Sequence, residues 1–431
     1  MPLKGLQSYH EIPLLLSSND SFSFLFVLSR ILISLNMFSC LIFFLSILGP
    51  AIASAKLPLG TYTVENLGFV TDPLSNKEGV FHDGGGGATQ NGYHVQVFAD
   101  SMTTSDGFNF VHNSVAYYGF VCSPLHLLQV SLYANIIFQR NPKDPLNLYT
   151  FGMSGHAGKA TFTTTAIGPQ GNETELGSDF AIWMLSGMTP LSDGKTIVGV
   201  FPALNEATST PLYTTMVSIE VVDPYSLLPG APPPMKRLGN GRLFYPSEVN
   251  YGKMALVEGI DGYLYLIGSD TTGVKLARVP ATPEGMADRN QYDYFNAQTR
   301  EWLPQQPLEL DNPVGNIILW STMDLDGNPI GPDVGDLWFD NYHQTMVMTW
   351  GDSGIDGNLW FSYAENNNLE GPWSTPEAIW TPPVPSECNG VQGDWNYQLH
   401  AHPGWDPTGK TLLVSYASCT QYVSFAKIAW D

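Results

Sequence analysis

The stretch Val334–Trp380 reads VGDLWFDNYHQTMVMTWGDSGIDGNLWFSYAENNNLEGPWSTPEAIW, and its spacing decides the fold class. Thr345–Trp350 and Asn358–Ala364 are short runs rich in β-branched and aromatic residues, which fit a pleated, half-buried surface. Between them, Gly351–Gly357 draws on glycine and aspartate. Glycine reaches positive φ at no steric cost and aspartate bonds its own backbone, so this segment predicts a turn. Gly371-Pro-Trp-Ser-Thr-Pro376 then breaks the chain, and Ala378–Trp380 begins another apolar piece. Strand, turn, strand, corner and edge strand predict one four-stranded antiparallel blade. Such a blade cannot bury both faces alone, so it implies siblings packed around an axis.

The same alternation recurs along the chain. A first blade is expected from Phe81–Ala88, His94–Asp100 and Ser114–Tyr118, and a second from Ser178–Trp183, Asp193–Phe201 and Leu212–Val222, with Pro229–Pro234 as an inter-blade linker. A third combines Tyr251–Val257, Gly262–Gly268 and Val274–Val279 with an outer strand at Tyr292–Asn296 and Trp302. The fourth is the opening stretch. The fifth runs through Tyr397–Trp405, Thr411–Ala417 and Val423–Trp430, and an early strand, Tyr62–Val64, is placed to complete it. The expectation is an all-β, single-domain, five-bladed β-propeller over residues 56–431. Two β-sandwich domains are the alternative, because period-two runs do not specify closure.

Composition agrees. Of 431 residues only 13% are charged while 12% are aromatic, with 42 Gly and 32 Pro, which favours many short strands and turns over helices. The formal net charge of −22 repels nucleic acid and anionic membrane surfaces, and neither is expected as a partner. Met37–Ala55 has an apolar core and ends in Ala53-Ser-Ala55, an A-x-A cleavage signature. Residues 37–55 are therefore read as a signal peptide and 1–36 as a gene-model extension. The rival, a membrane anchor over Phe22–Ile52, is interrupted by Asn36, Ser39 and Pro50. Removing residues 1–55 takes away Lys4 and Arg30 with Glu11 and Asp20, so the charge stays at −22. A secreted, extracellular monomer with no membrane contact after cleavage is expected. Of four cysteines, Cys40 leaves with the leader, and Cys388 with Cys419 is the expected disulfide. Cys122 would be left over. It opens a segment, 122–140, unlike the rest of the mature chain, and this is read as a retained-intron insertion. Asn172-Glu-Thr174 is an N-glycosylation sequon in a polar loop.

Several motifs recur in a fixed order: D-G-G-G (Asp83–Gly86), V-F-A-D (Val97–Asp100), D-G-Y-L-Y-L-I-G (Asp261–Gly268), L-A-R-V-P (Leu276–Pro280), G-P-W-S (Gly371–Ser374) and H-P-G-W-D-P (His402–Pro407). This order resembles the secreted family known as domain of unknown function 4185 and, more distantly, the five-bladed propeller glycoside hydrolases. The resemblance covers Gly68–Trp430. It implies carbohydrate processing, with arabinan-like or other plant or microbial glycans as substrate class. The chain has F-A-D-S where that family usually has G-D-T.

Glycoside hydrolysis needs two carboxyl groups across the scissile bond. In a propeller, residues just before the innermost strands converge on the axis. By position these are Asp83, Asp179, Glu248 and Asp336, with His400 and His402 in the fifth blade. Asp83, Glu248 and Asp336 are the catalytic candidates, each with a plainer role as turn cap, loop carboxylate or ion-pair partner. Asp100, Asp179, Trp183, Trp338, His400 and His402 are the substrate-binding candidates. One of the two histidines is expected in the funnel and the other between blades. The tryptophans, with Trp395, have two uses, stacking on sugar rings or wedging the blades together. No cofactor is required, although a structural Ca²⁺ on the axis is compatible with the many oxygen ligands. The glycine run Gly84–Gly87 lacks the following G-K-[ST] and helix of a phosphate loop. Gly152-Met-Ser-Gly155 lacks the spacing of a nucleophile elbow. The reading is a polysaccharide or oligosaccharide hydrolase. Its rivals are a non-catalytic carbohydrate-binding propeller and a polysaccharide lyase that neutralises a uronate through Ca²⁺ or Arg242.

Overall fold

The computed structural model describes Leu59–Asp431 except for residues 71–79, 104–108, 119, 123–137, 141–144, 147, 152, 155–160, 163–164, 224–225, 228–230, 305–308, 324–326, 353–356, 389–394 and 420–421. The expected gene-model extension and signal peptide lie outside the described residues, as does most of the 122–140 segment.

Closely spaced turn residues cut the chain into short strands, and most strands pair with neighbours in sequence. Five antiparallel sheets of four or more strands result. The first holds Gly87–Gln90, Tyr93–Phe98, Ser114–Tyr118 and Leu148–Thr150. In the second, Phe180–Ile182 and Met188–Pro190 both pair with Thr196–Asn205, followed by Thr210–Glu220 and Met235–Arg237. The third runs from Ala255–Glu258 through Tyr263–Asp270, Gly273–Pro280, Asp293–Asn296 and Glu301–Pro304. The fourth is the opening stretch: Gly335–Asp340, Thr345–Gly351, Leu359–Tyr363 and Glu377–Trp380. The fifth holds Asn396–His402, Thr411–Ser418 and Tyr422–Trp430, and its outer edge is Tyr62–Phe69 from the start of the chain. The early strand thus completes the last sheet, as its position predicted.

Each space between consecutive sheets is filled by its own apolar cluster. One cluster holds Val97 with Phe201 from the first and second sheets, another Val200 with Leu266 from the second and third, and another Ile267 with Met348 from the third and fourth. Phe361 and Val414 share the cluster of the fourth and fifth sheets, and Phe425 and Phe98 share the one that joins the fifth back to the first. The innermost strands, Gly87–Gln90, Met188–Pro190, Ala255–Glu258, Gly335–Asp340 and Asn396–His402, also touch in a closed cycle. This is a β-propeller arrangement, in which radial repetition covers both faces of every sheet.

Close approach at the axis explains several glycines. A Cβ on Gly187 would collide with the Gly335 carbonyl oxygen of the fourth sheet, and one on Gly86 with that of Ser186.

The proline run Pro229–Pro234 was expected between blades. It lies instead within the second sheet, on the connection from Thr210–Glu220 to Met235–Arg237. Met235-Lys-Arg237 is too short and too polar to read as a strand. Phe120–Cys122 pairs with Phe138–Arg140, so the 122–140 segment leaves and returns through one two-stranded ladder. Leu148–Thr150 then adds to Ser114–Tyr118 as the fourth strand of the first sheet. Cys388 and Cys419, both buried, form a disulfide with a Cα–Cα distance of 5.7 Å. Among the described residues no helix is long and apolar enough to cross a membrane.

The axial packing is testable against an exposed control. Gly187→Ala is expected to cost about 2–3 kcal/mol because the inner strands have no room for a methyl group. Gly194 has φ 77° and open space around it, so Gly194→Ala should cost about 1 kcal/mol from backbone strain alone. Urea unfolding of both variants checks the ranking.

Candidate active site

The site begins with a short ladder beside the first sheet. Val80–His82 pairs with Ser101–Thr103, with His82 opposite Ser101. One step further, the Asp83 N–H donates to the Asp100 carbonyl at 2.7 Å, and the Asp83 carbonyl accepts from Ala99 N–H at 3.0 Å. The ladder therefore sets Asp83 against Asp100, although 17 positions separate them. The strand pairing, and not the glycine run alone, positions the carboxyls.

The fifth sheet supplies the third member. The pairing of Asn396–His402 with Thr411–Ser418 shifts register between Tyr397 and His400, and Gln398 takes φ 51°. A bulge of this kind re-aims a side chain. Here it carries Tyr397 to Asp83, where the phenol donates to Oδ1. Gly84 lies against the buried Gln398 side chain, which a Cβ at Gly84 would strike.

Burial is the largest influence on the Asp83 carboxyl and raises its pKa. The Tyr397 hydrogen bond pulls it down, the nearby charge of Asp100 pushes it up again, and the result is about 7. Burial also raises Asp100, but His112 and the Trp183 indole pull in the opposite direction. Both facing carboxyls are therefore raised by burial, and they differ in what opposes the rise: a phenol at Asp83, a histidine and an indole at Asp100.

On the far side of Asp100, His112 Nδ1 lies 3.8 Å from Asp100 Oδ1 and 2.9 Å from Glu206 Oε2. Burial lowers the His112 pKa, but the two carboxylates and the Ser178 carbonyl more than offset this and leave it raised. Burial raises Glu206, His112 opposes that, and the charges of Asp100 and Asp179 add to it. Of the sequence-predicted residues, Asp83, Asp100, Asp179 and Trp183 therefore gather in one place.

The others lie elsewhere. Asp336 is only 5% exposed and His400 fully buried. Asp336 Oδ2 accepts from the Ala401 N–H at 2.7 Å and lies 3.0 Å from His400 Nδ1. His400 Nε2 donates across the axis to the Leu185 carbonyl at 2.6 Å. Burial raises the Asp336 carboxyl against the pull of His400. This network ties the second, fourth and fifth sheets together. His402 is also fully buried, 3.1 Å from His94 and 2.8 Å from the Ser415 hydroxyl. Trp338 and His402 line a cavity of about 310 Å³. Thr89, Pro190, Glu258 and Asp340, at the far ends of the inner strands, line it too, so it lies at the opposite end of those strands from Asp83. Glu248 pairs with Arg289 and accepts from the Tyr245 N–H at 2.9 Å; none of its described contacts reaches Asp83 or Asp100. Arg242 donates to the exposed Asn172 Oδ1 at 2.9 Å and lies over the Tyr213 ring.

His112, Glu206 and Tyr397 were missed. Tyr397 satisfies the same rule that selected the other candidates, a polar side chain at the start of an innermost strand, and was passed over for the two histidines beyond it. His112 and Glu206 carry no local signal, because their partnership exists only across two sheets.

No protein-family model matches the chain, and no curated protein matches it. Solved structures do. A candidate hydrolase from Bacteroides ovatus is similar over 82% of this chain and 87% of its own, at 15% identity and a TM-score of 0.50. The two share a fold. An exo-1,5-α-L-arabinanase from a bovine ruminal metagenomic library matches with 10% identity over 80% of this chain and 92% of its own, at a TM-score of 0.40. An endo-arabinase from Bacteroides thetaiotaomicron matches with 11% identity over 84% and 97%, also at 0.40.

The buried carboxyl makes a stability prediction. With a folded pKa of about 7, above the unfolded value, native Asp83 binds more protons than the unfolded chain between about pH 4 and 7. Its contribution therefore becomes destabilising as pH rises through that window. Asp83→Asn is expected to gain on the wild type by a few kcal/mol from pH 4 to pH 8, at about 1.4 kcal/mol per unit. Urea midpoints at the two pH values check it; a constant difference would refute the burial of this carboxyl.

Proposed function

We propose that this chain is a secreted, five-bladed propeller of the domain-of-unknown-function-4185 type that hydrolyses glycosidic bonds in a polysaccharide. Asp83 and Asp100 are the working carboxyls in this reading. The observation that carries it is the ladder that sets these two residues opposite each other, with burial raising both carboxyls. Asp83, holding its proton near neutral pH, is suited to protonate the leaving oxygen. Asp100, whose rise His112 and the Trp183 indole oppose, is assigned as nucleophile or base. Neighbouring positions across one ladder favour the short carboxyl separation of retaining glycosidases over the wider one of inverting enzymes, so retention of anomeric configuration is the expected outcome.

Tyr397 orients Asp83, and Trp183 offers an indole beside the pair for a sugar ring. Asp336, which the sequence placed among the catalytic candidates, is assigned with His400 to holding the axis, and Glu248 to its ion pair with Arg289. The carboxylates around the pair make a neutral sugar a better fit than a uronate, since Arg242 is engaged with Asn172. Secretion is consistent with the Cys388–Cys419 disulfide and the Ala53-Ser-Ala55 leader motif. Asn172 is exposed, as a glycosylated sequon would be.

On arabinan or another neutral polysaccharide, Asp83→Asn and Asp100→Asn should each lower kcat by roughly 10²–10⁴-fold, with wild-type folding confirmed by thermal melts. Proton NMR of the first-formed product should show the anomer of the substrate. Full activity in either variant would overturn the assignment.

A further inference from the structure

Beside the carboxyl pair lies a second arrangement that hydrolysis does not require. His112 Nε2 is 2.8 Å from the Ser178 carbonyl oxygen. A carbonyl only accepts, so Nε2 carries a ring proton, and Nδ1 is the nitrogen left to face the carboxylates. That nitrogen is turned towards Glu206 Oε2 and Asp100 Oδ1. The 3.8 Å approach is too long for a hydrogen bond, and the 2.9 Å approach is not aligned as one: His112 Nδ1 and Asp100 Oδ1 are both shut off from solvent without a hydrogen-bond partner. Two carboxylate oxygens facing one ring nitrogen call for a positive charge among them, either a proton on Nδ1 or a cation, and Nδ1 makes no aligned hydrogen bond that such a proton would form. The three atoms are within 4.8 Å of one another.

These are the features of a preformed cation site. A histidine that ligates a metal through one nitrogen commonly donates its other N–H to a carbonyl, which fixes the ring and the tautomer. The ligands come from rigid places: Asp100 and His112 flank strands beside the first sheet, and Glu206 opens the turn between the two long strands of the second. We propose that Asp100, His112 and Glu206 bind a divalent transition-metal ion of the Mn²⁺ or Zn²⁺ class. One imidazole with two carboxylates suits these ions. Ca²⁺, which takes 6–8 oxygen ligands, is the poorer fit. Asp179 adds further negative charge next to Glu206. The ion would join the rims of the first two sheets, and it engages the Asp100 oxygen turned to His112. The inference stands apart from the glycosidase reading, since it concerns binding without substrate.

The test uses the full secreted protein stripped with EDTA. Mn²⁺ binding is followed by electron paramagnetic resonance and Zn²⁺ binding by calorimetry, with no glycan present. The expected result is one saturable ion per chain and a Tm that rises with metal concentration, as binding to the folded state alone requires. Glu206→Gln, which keeps the side-chain shape, and His112→Ala should each weaken binding by about 10-fold or more, while their metal-free melts match the wild type. No saturable binding, or equal binding in both variants, would overturn the proposal and leave His112 as a protonated bridge between the carboxylates. Inactivity on every glycan tried would not bear on this result.

Discussion

The five main sheets each carry apolar side chains on both faces, and this constraint organises the molecule. A sheet of four strands with two wet apolar faces would expose more surface than its backbone pairing could offset. Placing the next sheet against each face solves the problem for every member but the two ends, and a ring leaves no ends. The fifth cluster, which holds Phe98 and Phe425, is the one that closes the ring. Its hydrogen-bonded counterpart is the pairing of Tyr62–Phe69 with Tyr422–Trp430, which holds the two ends of the described chain in one sheet.

Ring closure explains where chemistry can occur. Inner strands that touch at the axis leave room only for glycine at their tightest points, so bulky functional groups must sit just before those strands. Asp83 sits before the inner strand of the first sheet and Tyr397 at the start of that of the fifth, and the register shift at Gln398 lets the phenol reach the carboxyl. Deeper on the axis, Asp336 and His400 spend their polar groups on one another and on backbone. Burial acts on both sets. Ahead of the inner strands it raises Asp83 beside a second carboxyl; at the axis the same raised affinity belongs to a sealed contact.

Much of the ring was legible because turn chemistry is local. Gly351–Gly357 and Asp261-Gly262 punctuate strands whose aromatic and β-branched content is unmistakable, and the structure puts strands beside both. Met188–Pro190 was not legible: three residues with a terminal proline carry no period, and only contact with its neighbours makes it an inner strand. The proline run at 229–234 was misjudged because a linker inside a sheet and one between sheets have the same composition. At the site, Asp83, Asp100, Asp179 and Trp183 could be found by position along the strands. Tyr397 meets Asp83 across 314 residues, and His112 meets Glu206 from another sheet, distances over which a sequence offers no hint of contact.

The terminal strand has a consequence for how the protein is made. Tyr62–Phe69 is synthesised long before its partner Tyr422–Trp430, so it must remain single while the chain between them is made. A lone strand of that kind invites pairing with foreign chains. Its sequence, YTVENLGF, puts Glu65 and Asn66 at its centre and breaks register between Asn66 and Gly68. A charge and a kink make a poor template for a passing neighbour, and they let the strand wait.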